Sequence, residues 1–226
     1  MFKLRYVIEG RPAYSILKVW LEPGESITVE PGSYMLHRGE VEVSTETGGI
    51  GGAIARRLFG GESVFLNTFR ARGRGAEVWV APGTPGDIGV LELNGSLYIQ
   101  DTSYLAHVGD VKLTVGWRGL KGLIAEGELV WLKAEGRGLV FVNAYGGLEL
   151  LELGLGEKVT IDNIHFVAMD STVKWDVRRL GGLKTLAFGG EGLVIEVTGP
   201  GRVLVQTRVL PPLAQLLSKF MPRSGK

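Results

Sequence analysis

Apolar residues fall at every second position over three long stretches of the chain. "ESITVEPGSYMLHRGEVEV" begins at Glu25, "GSLYIQDTSYLAHVGDVKL" at Gly95 and "EKVTIDNIHFVAMDSTVKW" at Glu157, and the three align without a gap over nineteen positions. Each opens with a strand-period pair: Ile27 and Val29, Leu97 and Ile99, Val159 and Ile161. A polar or Pro-Gly break follows, then an apolar patch at Met35, Leu105 and Val167. After a turn signal, alternation resumes at Val41 and Val43, Val111 and Leu113, Val173 and Trp175. The pattern predicts strand, turn, strand, written three times.

Between these stretches lies a second recurring element, two apolar arms around a Gly-Arg dipeptide. The pairs are Gly10-Arg11, Gly73-Arg74, Gly136-Arg137 and Gly201-Arg202, spaced 63, 63 and 65 residues apart. Glycine takes positive φ at little cost, so each reads as a hairpin turn. A period near 63 exceeds the roughly 20–50 residues of solenoid coils and propeller blades. The expectation is an all-β barrel or sandwich built by internal duplication, its strand edges covered by one another or by a neighbouring subunit. Two segments depart from the pattern. Thr47 to Ser63 is glycine-rich around a short helical stretch, with Ile50, Ile54 and Leu58 four apart. The tail from Pro211 to Pro222 starts on proline and sets Leu213, Leu216, Leu217, Phe220 and Met221 on one helix face.

Composition narrows the field. The chain has 226 residues, 35 of them glycine, no cysteine and a net charge of +1. Without cysteine there is no disulfide, no thiolate nucleophile and no Cys-based zinc site, which fits a reducing cytoplasm. The near-zero net charge supplies no global field for nucleic acid. The N-terminus lacks the apolar core of a signal peptide, and no window approaches the ~18 apolar residues of a membrane span.

Several motifs together resemble a known family: "GGIGGAIARRLFGGESVFLNTF", "PGDIGVLEL", "FVNAYGGL", "IDNIHFVAMDSTVKWDVRRLGG" and "FGGEGLVIEVTGPGRVLVQTR". They are similar to the prokaryotic proteins related to the altered-inheritance-of-mitochondria protein of fungi, and the likeness covers almost the whole chain. The resemblance implies a TRAP-like fold, an internally duplicated, shortened double-stranded β-helix, named after the tryptophan RNA-binding attenuation protein. It also implies a ring-like homo-oligomer, a trimer. The halves would span residues 1–115 and 116–210, with a helical tail at 211–226. The family supplies no catalytic residues to carry over, and the lysine and arginine pattern of the RNA-binding relative has no residue-level match here.

Candidate chemistry is sparse. His37 and His107 occupy equivalent positions, where the third stretch has Met169, and His165 lies elsewhere. No H-x-H or H-E-x-x-H spacing exists, and replacement by methionine points to bulk on a half-buried surface, so no metal is expected. The glycines before Arg56 and Arg57 invite an anion-binding reading. The phosphate-loop and dinucleotide patterns are absent, so Ile50, Ile54 and Leu58 read rather as an oligomer contact, and Leu213, Leu216, Leu217 and Phe220 of the tail as a face packed on their own sheet or on a neighbouring copy. Arg11, Arg74, Arg137 and Arg202 would form a cationic collar in an oligomer, able to bind phosphates or RNA, although arginine after a hairpin glycine is ordinarily solvated. Asp87, Asp110, Asp162, Asp170 and Asp176 read as turn caps, and Glu62, Glu126 and Glu191 as acceptors for backbone N–H groups. The resulting expectation is a non-enzymatic, cofactor-free, cytoplasmic oligomer serving as a β scaffold or binding module. The alternatives are anion or nucleic-acid binding through the Gly-Arg turns and membrane-surface association through the tail.

Overall fold

The structure, a computed structural model, describes residues 3–46, 66–118, 130–179 and 193–221. Ile50, Ile54, Arg56, Arg57, Leu58, Glu62, Glu126 and Glu191 lie outside them. The described chain is all-β apart from one C-terminal helix and two single 3-10 turns.

Fourteen strands follow one another: β1 Arg5–Glu9, β2 Ile16–Leu21, β3 Ser26–Val29, β4 Tyr34–Glu46, β5 Leu66–Val80, β6 Ile88–Gln100, β7 Tyr104–Arg118, β8 Val130–Asn143, β9 Leu148–Leu153, β10 Lys158–Asp162, β11 Phe166–Asp170, β12 Lys174–Arg179, β13 Leu193–Thr198 and β14 Gly201–Gln206. Eleven form one antiparallel sheet, ordered β1-β2-β5-β3-β7-β8-β6-β11-β14-β9, with β4 also on β5. The other three form a sheet ordered β10-β13-β12. The residue 115/116 boundary falls inside β7, which pairs with β8 along nearly its whole length.

One arrangement occurs three times. A long central strand pairs on one side with the strand that precedes it: β5 with β4, and β8 with β7. On its other side β5 is shared by β3 at Asn67–Arg70 and β2 at Ala76–Val80, while β8 pairs with the continuous β6. In the third case β13 and β14 stand in line, flanked by β10 and β9 on one side and by β12 and β11 on the other. The aligned nineteen-residue stretches match this order. Each runs strand, tight turn, strand, the turns being Pro31-Gly32, the 3-10 turn Asp101–Ser103 and the 3-10 turn Asn163–His165.

This arrangement corrects the hairpin expectation. Gly10-Arg11 does join two paired strands, β1 and β2. Gly73-Arg74 and Gly136-Arg137 lie inside the continuous strands β5 and β8, and Gly201-Arg202 begins β14. The two arms around each of these three pair with other strands rather than with each other. A local pattern of apolar arms around glycine cannot tell a turn from a kink, because the partner strand decides it. Glycine is needed in these strands because neighbouring backbones crowd there. A Cβ on Gly75 would lie 2.7 Å from the Leu21 carbonyl oxygen, and one on Gly136 would lie 2.1 Å from that of Asp110. Both residues also have positive φ, +98° and +124°.

Three apolar clusters fill the interior. One, around Leu17, Ile27, Val78 and Phe141, lies between the first strands and β8. A second gathers Leu93, Ile99, Leu132 and Val142. The third packs Trp131 and Phe166 against Ile195 and Val203, with Trp117 and Trp175 on its margin. Burial of each large side chain contributes about 1.5–3 kcal/mol. The C-terminal helix α1, Leu210–Ser218, has proline in its first turn as expected, but none of its residues is buried.

Gly136→Ala is expected to destabilise the fold by roughly 2–4 kcal/mol, combining the carbonyl clash with φ strain. Gly95 has the same φ of +124° but nothing within 4 Å of its Cβ position. Gly95→Ala should therefore cost about 1–2 kcal/mol. Urea melts of the two variants would resolve the difference, and equal losses would show that crowding at the kink is not what selects glycine.

Candidate functional site

The four turn arginines divide into two kinds. Arg11 donates to Asp87 from Nε at 2.8 Å and from Nη2 at 2.9 Å. Asp87 is 4% exposed and also accepts from the Ser15 hydroxyl at 2.9 Å and the Ile88 N–H at 2.8 Å. Burial raises its carboxyl pKa, but these donors, Arg11 foremost, pull it below the ordinary value. Arg202 meets Asp170 in the same two-pronged way, both contacts at 2.9 Å, and its backbone N–H adds a third bond at 2.9 Å. Paired guanidinium–carboxylate geometry of this sort fixes orientation, so both arginines serve as internal fasteners. Arg74 and Arg137 are exposed and have no side-chain partner among the described residues. Of the four arginines in the expected collar, Arg74 and Arg137 are thus the ones without a side-chain partner among the described residues. Asp162 caps its turn as expected, accepting from the Ile164 N–H at 3.1 Å.

The equivalent histidines each bind a tyrosine three residues earlier. The Tyr34 hydroxyl lies 2.8 Å from His37 Nδ1, and the Tyr104 hydroxyl 2.7 Å from His107 Nδ1. The second pair is buried. Burial alone lowers the His107 pKa to about 4, so its imidazole is neutral at pH 7. An Nδ1–H donating to Tyr104, whose hydroxyl donates to the Thr28 carbonyl at 3.3 Å, would satisfy all three groups. Burial raises the Tyr104 pKa well above its usual range, and the nearby Glu30 raises it further. In the third stretch Phe166 and Met169 replace both members, and both are buried. Among the described residues no three His, Cys, Asp or Glu side chains are grouped to hold a metal ion.

A cleft of about 520 Å³ opens where the turns of the first two stretches meet the end of β8. Glu30 and Asp101 line it together with Ser33, Thr84, Asn143 and Gln206. The Glu30 N–H donates to the Leu105 carbonyl at 2.9 Å, which places the end of β3 beside the start of β7. Asn143, with its amide nitrogen turned toward the 3-10 turn, donates to the carbonyls of Thr102 at 3.1 Å and Ser103 at 2.9 Å. Burial pushes the Glu30 carboxyl up to about 7, the Ser33 hydroxyl offsetting part of the rise and Asp101 adding to it. Burial likewise pushes Asp101 up to about 6, against the backbone N–H of Thr102 at 2.8 Å. No Lys, Arg or His lines the cleft among the described residues. It therefore offers acceptors and exchangeable protons, but no fixed cation to stabilise a developing anion. Sequence reasoning missed both acids, because each alone reads as a turn cap and 71 positions separate them.

The profile of the family described as mitochondrial biogenesis AIM24 matches residues 6–208. The chain belongs to the mitochondrial biogenesis AIM24 family. It is also similar to an uncharacterized protein of Streptococcus pyogenes serotype M6, 29% identical over 233 residues that cover 99% of this chain and 93% of the relative. A crystal structure of a protein from Streptococcus pyogenes superposes with a TM-score of 0.80 at 29% identity, over 97% of this chain and all of that one. The family expected from the motifs is thus the family found, and the all-β fold is shared with a solved structure. The relatives' descriptions assign no reaction to this AIM24-family chain.

The raised carboxyl values govern stability near neutral pH. Both lie above the ordinary 4.5 and 3.8, so between about pH 4 and 7 the folded chain holds more protons than the unfolded one. Their effect is a loss of stability as pH rises through that window. His107, lowered from 6.5 to about 4, acts oppositely and only below about pH 6.5. Combining Glu30→Gln with Asp101→Asn should therefore gain stability relative to the unmutated protein as pH goes from 5 to 8, by about 1–3 kcal/mol. Urea denaturation at several pH values measures this, and a pH-independent difference would contradict the assignment.

Proposed function

We propose that this protein is a non-enzymatic β scaffold that works as a homo-oligomer, with α1 as a contact between copies. The observation that carries the reading is the contrast between its polar and apolar groups. The polar side chains that stand out in sequence are largely engaged within the chain: Arg11 with Asp87, Arg202 with Asp170, Tyr104 with His107. Of the tail's apolar residues Leu213 is half-buried, but the others have little cover among the described residues. Leu216, Leu217 and Phe220 are 51%, 53% and 79% exposed. An uncovered apolar helix face on an otherwise well-packed protein marks an association surface. Light scattering coupled to size exclusion tests this. The intact chain should run well above its 24.4 kDa monomer mass, and deletion of residues 210–226 should lower the subunit count. A monomeric intact chain would refute the reading.

A second reading, anion binding, rests on Arg74 and Arg137, the two free arginines at matching kinks. Assembly would multiply them around an axis. Arg74→Ser combined with Arg137→Ser should elute from heparin at clearly lower salt than the unmutated protein. Unchanged elution would remove this reading and leave the scaffold proposal standing.

A further inference from the structure

The three aligned stretches meet one another in a fixed register. Ile27, Thr28 and Val29, the third to fifth residues of the first stretch, pair antiparallel with Val108, His107 and Ala106, the fourteenth to twelfth of the second. Leu97, Tyr98 and Ile99, at the same leading positions of the second stretch, pair with Asp170, Met169 and Ala168, the same receiving positions of the third. Each receiving strand also carries a register shift against its other neighbour at one place: between Tyr34 and Leu36, Tyr104 and Ala106, Phe166 and Ala168. Two sets of positions are left over. Leu36, His37 and Arg38 are the receiving positions of the first stretch, and their strand β4 pairs only with β5 among the described residues. Val159, Thr160 and Ile161 are the leading positions of the third, and their strand β10 pairs only with β13 among the described residues. Burial follows the pairing. His107 and Met169 are buried whereas His37 is exposed, and Ile27 and Leu97 are buried whereas Val159 is half-buried.

We infer that β10 of one copy of this chain adds to the free edge of β4 in a second copy, with Val159 opposite Arg38, Thr160 opposite His37 and Ile161 opposite Leu36. The inference rests on the homo-oligomer reading above and names the edges that meet. An unpaired strand edge is a template for another strand, because its backbone N–H and C=O groups lack ladder partners. The residue that faces the tyrosine–histidine pair selects this occupant. Within the chain Thr28 lies across from His107, and its carbonyl accepts from the Tyr104 hydroxyl at 3.3 Å. Where Phe166 and Met169 replace the pair, Tyr98 stands across instead. The free edge of β4 carries Tyr34 and His37, bonded at 2.8 Å as Tyr104 and His107 are at 2.7 Å, and the free strand β10 offers a threonine, Thr160. Its carbonyl would accept from Tyr34 as that of Thr28 does from Tyr104. Arg38 and Lys158 become cationic neighbours in this register, but each has a carboxylate of its own chain 3.8 Å away, Glu77 and Glu196. The two edges differ, so the contact is heterologous and builds a ring when the rotation between copies closes.

The absence of cysteine allows a direct test. Thr160→Cys on a mass-tagged chain and His37→Cys on an untagged chain are mixed and oxidised. The expected product is a hetero-disulfide dimer, formed roughly tenfold faster than when Ser44→Cys, exposed further along β4, replaces His37→Cys. Thr160→Lys, at a position exposed in the single chain, should lower the subunit count in light scattering, with circular dichroism confirming that each variant is folded. In the unmutated protein, amide exchange in residues 34–38 and 158–162 should slow as the concentration is raised through assembly. The inference is overturned by a cross-linking rate equal to the Ser44→Cys control, or by an unchanged subunit count in folded Thr160→Lys. It is equally overturned if a chain carrying both cysteines closes only on itself. Light scattering on the unmutated protein separates the two levels. An oligomer whose β4 and β10 amides exchange no more slowly removes this pairing and keeps the scaffold, whereas a monomer removes both.

Discussion

Inside the two long central strands, neighbouring backbones approach so closely that a carbonyl oxygen stands where a Cβ would go. That crowding is the constraint on which this fold rests. At Gly75 and Gly136 the neighbouring carbonyl oxygens occupy the space a Cβ would need. Because β5 can kink there, its two halves lie against β3 and β2, and each half delivers its alternate side chains to the apolar cluster of the first strands. The polar fasteners sit where chain segments must be held together outside the ladders. Asp87 is one: it ties Arg11 and Ser15 of the first loop to the start of β6.

What could be read from the sequence was whatever depends on near neighbours along the chain. Alternation marks the strands, Pro-Gly and Asp-Thr-Ser mark the turns before β4 and β7, and Pro211 marks the start of the helix. The family was legible from ordered motifs. Whether a glycine turns or kinks a strand was not legible, because that depends on partners far away in sequence. The pairing of Arg11 with Asp87 spans 76 positions for the same reason. The cleft acids were hidden differently. Glu30 and Asp101 are ordinary turn residues singly, and only the docking of β3 beside β7 and burial of the turns give them unusual protonation.

The chemistry of the described surface is correspondingly restrained. Two arginines are held on carboxylates, a histidine is kept neutral by burial, and no Lys, Arg or His lines the cleft among the described residues. On α1 the side chains of Leu216, Leu217 and Phe220 are exposed.

The tyrosine–histidine pair carries an implication for how such a sequence can drift. Where it is buried, as at Tyr104 and His107, losing the Tyr104 hydroxyl strands His107 Nδ1 in a dry interior, a penalty of about 1–3 kcal/mol, and losing His107 leaves the hydroxyl only its longer bond to the Thr28 carbonyl. The third stretch shows the alternative solution, Phe166 with Met169, which needs no hydrogen bond. Both end points are comfortable while the single-step intermediates are not, so the two positions are epistatic. Exchange between the polar and greasy versions has to cross a fitness valley or await a stabilising change elsewhere.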